Sequence, residues 1–420
     1  MMQIKTWGLR LIDLINSVAD PYDEFTRGVE LPPGEPVEER LNKLRNKFIV
    51  GLHAKFAKSG FLAYQIPNDM GDMCIWNGVY AGMMCMRAHY LKDEVATHAA
   101  KTAIEALCKF SEDRLVRAVV PDGLFEDNVF LVDNTRAAEY FTKGRSLRRD
   151  DASLDSFAGW LFGMACAIKF GQFHMVADNV NAFFERFKAD GYKLRNRDGS
   201  ATKYGDCTPG LFQGPIRNLA TTTVARMSCI IDARAEWRAL AEKYKDDFAN
   251  TETHFLHKHA YYNDNMAALI GAAYCLITPV GIIGREEAAR GLSRLVRKHR
   301  KNGNSFFVYL AALCGAEVSK ADLQNAEKIL MEFSLSDNPP NGKAVIERIN
   351  SKDVKTVKVG GRIEAAQPLP IWKRPASDFY WQRGPHDCDG YQGSGLAPIY
   401  MNCLDFLAAY WAKKLYEENR

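Results

Sequence analysis

Six stretches of this chain, residues 74–88, 156–170, 215–231, 265–277, 305–316 and 396–412, are apolar around the whole helical circumference, and a polar loop precedes each. A helix that is apolar all round must be buried on all sides. Small residues within these stretches, among them Ala81, Gly82, Ala158, Gly163, Ala267, Gly271, Ala272 and Ala311, let neighbouring backbones approach closely. Between them lie more charged segments, at about 37–59, 91–111, 173–190, 233–248, 284–300 and 319–333, whose apolar residues fall on one stripe. Inner helices alternating with outer helices predict a closed, all-α toroid. Every inner helix then begins at the same end, and the polar loops converge there.

No Gly/Ser-rich linker or low-complexity segment divides the 420 residues. The expected organisation is an N-terminal helix and linker over 1–30, then one toroid over 31–420. Residues 344–349 and 354–359 have strand character, and the second run ends at Gly360-Gly361. They predict a small β-hairpin inside an insertion at about 340–395. The N-terminal segment carries Leu9, Leu11, Ile12, Ile15 and Val18 at helical spacing with Asp13 among them. It reads as a surface helix able to dock a protein partner, and not as a secretory signal.

Composition removes several function classes. A net charge of +4, with no basic face, gives no case for nucleic-acid binding. The basic run from Arg294 to Lys301 sits at a predicted helix C-terminus, where cations favour the helix dipole. It is expected to be a solvated helix end. No apolar run reaches the ~18 residues of a membrane span. The ten cysteines include no Cys-x-x-Cys pair, and most fall on inner helices, where a free thiol serves as a small hydrophobe. His254 and His257 share a helical face, but no carboxylate accompanies them at ligand spacing. No metal and no cofactor are expected. Serine-nucleophile elbows, phosphate loops and dinucleotide fingerprints are absent from the sequence.

The chemistry gathers in the loops before the inner helices. They carry Asp72, then Asp151 and Asp155, Asp206, Asp264, Asn304 and finally Asp387 and Asp389. Any one of these can be a helix cap. Capping does not account for Trp76, Tyr261, Tyr262, Tyr380 and Trp381 at the same helix starts. Carboxylates among aromatics are what a carbohydrate site requires: rings stack on sugar faces, and two carboxyl groups cleave a glycosidic bond as acid and base. Asp155, Asp264 and Asp72 are the candidate catalytic residues. Trp76, Asp151, Tyr261, Tyr262, Asn263, Trp381, Arg383, His386 and Asp387 are the candidate substrate-binding residues, and the loop from Trp381 to Gly390 is expected to wall the pocket.

Gly71-Asp72-x-x-x-Trp76, Asp150-Asp151-x-x-x-Asp155, Tyr262-x-Asp264 and Trp381-Gln382-Arg383-x-Pro385, set on alternating inner and outer helices, resemble the six-hairpin (α/α)6 toroid superfamily over roughly residues 36–416. That group includes glycoside hydrolases, unsaturated glucuronyl hydrolases and polysaccharide lyases. The resemblance implies a funnel at the inner-helix mouth, lined by Asp and aromatic residues, that takes an oligo- or polysaccharide. Two alternatives stay open. A lyase would use Tyr262 or His386 as base, with Arg383 and Asn263 stabilising the developing charge. A non-catalytic glycan-binding, virion or assembly component on the same fold is the other. The expected location is the cytoplasm, or a virion or surface complex reached without a signal peptide.

Overall fold

A computed structural model of the chain describes residues 35–63, 65–66, 72–120, 147–171, 173–210, 214–232, 235–251, 261–333, 354–359, 362–371, 374, 379–387 and 400–420. The N-terminal helix, His254 with His257, strand 344–349 and residues 388–390 of the wall loop lie outside them. Twelve α-helices are described: α1 Val37–Gly51, α2 Met73–Leu91, α3 Glu94–Cys108, α4 Leu154–Lys169, α5 Phe173–Ala189, α6 Pro215–Asp232, α7 Glu236–Phe248, α8 Tyr261–Ile277, α9 Arg285–Lys298, α10 Ser305–Leu313, α11 Lys320–Met331 and α12 Leu404–Glu418.

The even-numbered helices form the inner ring. Each packs on its neighbours in the order α2, α4, α6, α8, α10, α12, and α12 closes back on α2. Outer helices α3, α5, α7, α9 and α11 pack on the inner helix that precedes them, and α1 covers α12. This is the (α/α)6 toroid expected from the sequence. The ring is drawn in at one place, where α4 also packs directly on α8. On α2 every residue from Met73 to Met86 is buried, and on α8 every residue from Asp264 to Ile277. The outer helices bury one stripe, as on α3, where Ala96, Ala100, Ala103, Ile104 and Leu107 face the ring. Asp93 caps α3 by accepting the Ala96 N–H at 2.6 Å, and α2 stops where Lys92 turns left-handed.

Strands occur only as short antiparallel pairs among the described residues: β1 Ala57–Lys58 with β2 Phe61–Leu62, β3 Gln65–Ile66 with β10 Tyr400–Met401, β4 Ala118–Val120 with β5 Leu147–Arg149, β6 Lys193–Arg195 with β7 Ala201–Asp206, and β8 Thr356–Val359 with β9 Arg362–Ala365. A small hairpin does lie in the insertion, but β8 pairs with the segment that follows it, 362–365, and the predicted strand 344–349 lies outside the described residues. The β8–β9 register sets Thr356 opposite Ala365 and Val359 opposite Arg362. Among the described residues no helix is long and apolar enough to cross a membrane. The nine described cysteines are free thiols, six of them buried. Burial pushes the Cys85 and Cys207 thiols up to about 12, which makes them inert core groups.

Candidate functional site

The loops before α2, α4 and α8 meet through side chains, and that contact defines the site. Asp72 occupies the N-cap position of α2 but caps nothing with its side chain. Its carboxylate instead takes the Arg117 guanidinium, with Nε at 3.1 Å and Nη2 at 2.5 Å from Oδ1. Arg117 is delivered by the strand turn before β4: its N–H donates to Arg149 O at 2.8 Å, and its carbonyl accepts the Cys74 N–H at 3.0 Å. A strand edge thus ties the cation to the first turn of α2.

Asp155, in the first turn of α4, is 3% exposed. Its Oδ1 accepts the Ser156 N–H at 2.8 Å and the Ser153 hydroxyl, and its Oδ2 accepts the Tyr262 hydroxyl from α8. The drawn-in contact of α4 with α8 makes that last bond possible. The Tyr262 hydroxyl is bonded to Asp155 and feels the charge of Arg117, while 38% of the residue remains open to solvent. Burial, then the Asp155 carboxylate, pushes the phenol far above its ordinary value, so Tyr262 keeps its proton. Burial works against the charge of Arg117, but Asp72, then Asp155, outweigh it and hold the guanidinium above its usual range. The result is a cluster of two carboxylates, one cation and one phenol at the mouth of the toroid.

Asp264 does not join this cluster. It lies two residues beyond Tyr262 on α8, so it points away from that side, and its side chain is fully buried. Oδ2 accepts from Lys298 Nζ at 2.7 Å and from His299 Nε2 at 2.8 Å, both at the end of α9. The basic run is therefore no solvated helix end: two of its members hold Asp264, and Arg300 pairs with Asp322 at 2.8 Å. Burial alone would raise the Asp264 carboxyl, but His299 and Lys298 outweigh it and hold it below the ordinary value. Burial lowers His299, against the pull of Asp264.

Both shifts have the same sign of linkage, because the unfolded chain binds the more protons. Their stabilisation is present above the unfolded values, about 6.5 for His and 3.9 for Asp. It is lost as pH falls through the lower folded ones. Asp264→Asn is therefore expected to cost ~1–3 kcal/mol near neutrality and to remove the carboxylate part of the acid-side loss. Thermal melts of both proteins from neutral to acid pH check this; parallel curves would refute it.

The remaining candidates divide between mouth and core. Asn263 is half-buried beside Tyr262. Asp151, at φ +65°, spends its groups on the β6–β7 hairpin: its N–H donates to Asn196 Oδ1 at 2.9 Å, and its Oδ1 accepts the Lys203 N–H at 2.7 Å. That hairpin carries Tyr204, which is 60% exposed. Trp76, Tyr261 and Trp381 are buried and present no open face. Trp76 packs against Phe379 at 4.9 Å, and Tyr261 against His299 at 4.7 Å. Trp381 donates its Nε1–H to Asp405 O at 2.8 Å. Among the described residues the predicted aromatic candidate left open to solvent is Tyr262. Asn304 is a true cap, accepting the Phe307 N–H at 3.0 Å while its Nδ2 donates to Trp381 O at 3.0 Å. This bond sets segment 379–387 at the start of α10. Within it His386 is buried, Arg383 and Asp387 are half-buried, and the backbone at Asp387 pairs antiparallel with that of Glu364 on β9. Sequence reasoning missed Arg117, Ser153, Lys298, His299 and Asn302. Among the described residues no group of three His, Cys, Asp or Glu side chains has the geometry to hold a metal.

No family model matches the chain. No curated protein matches it either. Among solved structures it is similar to cellobiose 2-epimerase from Bacillus thermoamylovorans, at 11% identity and TM-score 0.45, covering 91% of this chain and 99% of the other. It is also similar to an α-1,6-mannanase from Salegentibacter, at 10% identity and TM-score 0.43, covering 92% and 100%. A third, at 13% identity and TM-score 0.38, is a type II terpene cyclase from Scytonema, covering 91% and 99%.

Proposed function

We propose that the mouth is the site of a carbohydrate-active enzyme that cleaves a glycosidic bond by hydrolysis. The carrying observation is the Asp155–Tyr262 hydrogen bond beside the Arg117–Asp72 pair. Glycoside cleavage needs one group that gives a proton to the leaving oxygen and one carboxylate that activates water or attacks. Tyr262 keeps its proton and is half open to solvent, so its hydroxyl can serve as a hydrogen-bond donor to the leaving oxygen, where it stabilises developing charge without being a strong acid. Asp155 meets three donors, which fix its carboxyl group in place at the mouth, and it is assigned the second role. Arg117 and Asp72 frame the charge that develops between them.

Tyr204 and Tyr262 are the exposed rings available to stack.

The lyase reading has one observation in its favour: a cation, Arg117, beside a tyrosine is how a uronate would be neutralised for proton removal. Against it stands the raised phenol, which is a poor base at neutral pH. The full chain, incubated with neutral and uronate oligosaccharides, separates the readings. Release of reducing ends without unsaturated product is expected, and Tyr262→Phe should lower the rate by ~10²–10⁴ at unchanged melting temperature. An unsaturated product would assign the mouth to a lyase. Glycan binding without turnover would leave a binding module, and no binding at all would end the carbohydrate reading.

A further inference from the structure

We propose that the toroid mouth contains a buried proton-binding site, shared by His386, Asn302, His299 and Asp264, and that its bound proton docks segment 379–387 against the start of α10. It stands whichever reaction the mouth carries. Five groups from four parts of the chain form one line. The Ala365 carbonyl on β9 faces His386 Nδ1 at 2.8 Å, and His386 Nε2 faces Asn302 Oδ1 at 3.2 Å. Asn302 Nδ2 faces His299 Nδ1 at 3.2 Å, and His299 Nε2 faces Asp264 Oδ2 at 2.8 Å. Both imidazoles are buried, at 1% and 2% exposure.

Hydrogens can be counted along this line. Both ends, a carbonyl and a carboxylate, accept only. Four hydrogen bonds need four hydrogens, and the amide supplies one. Two neutral imidazoles supply one each, so one more proton is required. Asp264 does not carry it, because the Lys298 ammonium sits 2.7 Å from the same carboxylate oxygen and keeps it ionised. His299 does not carry it, because its Nδ1 faces the amide nitrogen and the Lys298 charge is adjacent. His386 does: Nδ1 and Nε2 both face oxygens, so both carry hydrogen, and His386 is an imidazolium. Turning the amide over would move the proton to His299 without removing it.

His386 is also where the wall is fastened. Its backbone carbonyl accepts the Ala365 N–H at 2.9 Å, and the Pro385 carbonyl accepts the Leu369 N–H at 2.7 Å. The ring adds the cross-link to Asn302 at the opposite side. Charged groups around it are Asp264 and Lys298 beyond His299, Arg383 and Asp387 on its own segment, Glu364 on β9, whose backbone pairs with that of Asp387, and Arg374, which donates to Leu369 O and Gly303 O. Loss of the proton leaves one ring nitrogen lone pair against an oxygen, either Asn302 Oδ1 or Ala365 O. That repulsion releases the cross-link. The wall therefore docks at lower pH and loosens as pH rises.

The test is long-range ¹H–¹⁵N correlation spectroscopy of the ¹⁵N-histidine protein between about pH 5 and pH 9, with amide exchange of 379–387 measured alongside. One imidazole with both nitrogens protonated is expected at the acid end of that range, and it should vanish in His386→Gln. As it deprotonates, the wall amides should exchange faster, by about tenfold per pH unit beyond the intrinsic rate change. Asn302→Asp removes the amide hydrogen and offers a carboxylate that accepts from both rings, so the line then binds two protons; it should move the midpoint upward while keeping the wall docked. Two neutral imidazoles throughout, wall exchange that follows the intrinsic rate alone, or an Asn302→Asp midpoint that is unmoved or lower would each overturn the proposal.

Discussion

Asp155→Asn is expected to leave the toroid folded and to lower glycan cleavage by ~10²–10⁴. Every hydrogen bond of Asp155 can survive the change. The amide oxygen still accepts from Ser153 and the Ser156 N–H, and the new amide nitrogen donates to the Tyr262 hydroxyl, which then acts as acceptor. What is lost is the charge. Arg117 keeps Asp72 as its partner at 2.5 Å, so no cation is stranded. An independent readout belongs to Tyr262. Burial is the larger cause of its raised phenol, and Asp155 is the next. Removing the carboxylate should bring the phenol partway down while burial keeps it above the ordinary value. Ultraviolet titration of the phenolate in both proteins reads that shift. Retained activity together with an unmoved phenol would show that Asp155 and Tyr262 do not work as a pair.

The ring of inner helices was legible because its signal is local: an all-round apolar stretch and its small residues stand together in the chain. The common end was legible for the same reason, since each polar loop directly precedes its helix. What the side chains do at that end was not. Asp72, Asp155 and Asp264 look alike in sequence, each an acid at a helix start, and a cap was the simple expectation for each. Asp72 bonds Arg117, 45 residues later in the chain. Asp155 bonds Tyr262, 107 residues later, and Asp264 bonds His299, 35 residues later. None of these partners lies in a motif with its acid. Arg117 falls outside every helix expected from the sequence, and Lys298 and His299 read as a helix end in water. The aromatics failed for a related reason. A tryptophan at a helix start is equally well a sugar platform or a core residue, and only packing against Phe379 or a bond to Asp405 O decides it.

Gly159→Val should cost more than ~4 kcal/mol, the range reserved for gross packing faults, and should carry the site away with the fold. The small residues picked out by composition included Gly82 and Gly163, but the closest helix crossing falls on their neighbours Gly78 and Gly159. A Cβ on Gly159 of α4 would lie 2.3 Å from Ile75 Cα and 2.4 Å from Ile75 O of α2. A Cβ on Gly78 would lie 1.9 Å from Gly159 O. These are backbone atoms inside two buried helices, so no side chain can swing aside to make room. The helices must separate, and with them the starts that carry Asp72, bonded to Arg117, and Asp155. Gly51, at the end of α1 with nothing within 4 Å of its would-be Cβ, is the control. There Ala should stabilise by ~0.5–1 kcal/mol through helix propensity alone. Denaturant melts of Gly159→Val, the milder Gly159→Ala and Gly51→Ala give the comparison. A Gly159→Ala protein within ~1 kcal/mol of wild type would mean that α2 and α4 do not cross in backbone contact, and that the Asp72–Arg117–Asp155 arrangement rests on some other support.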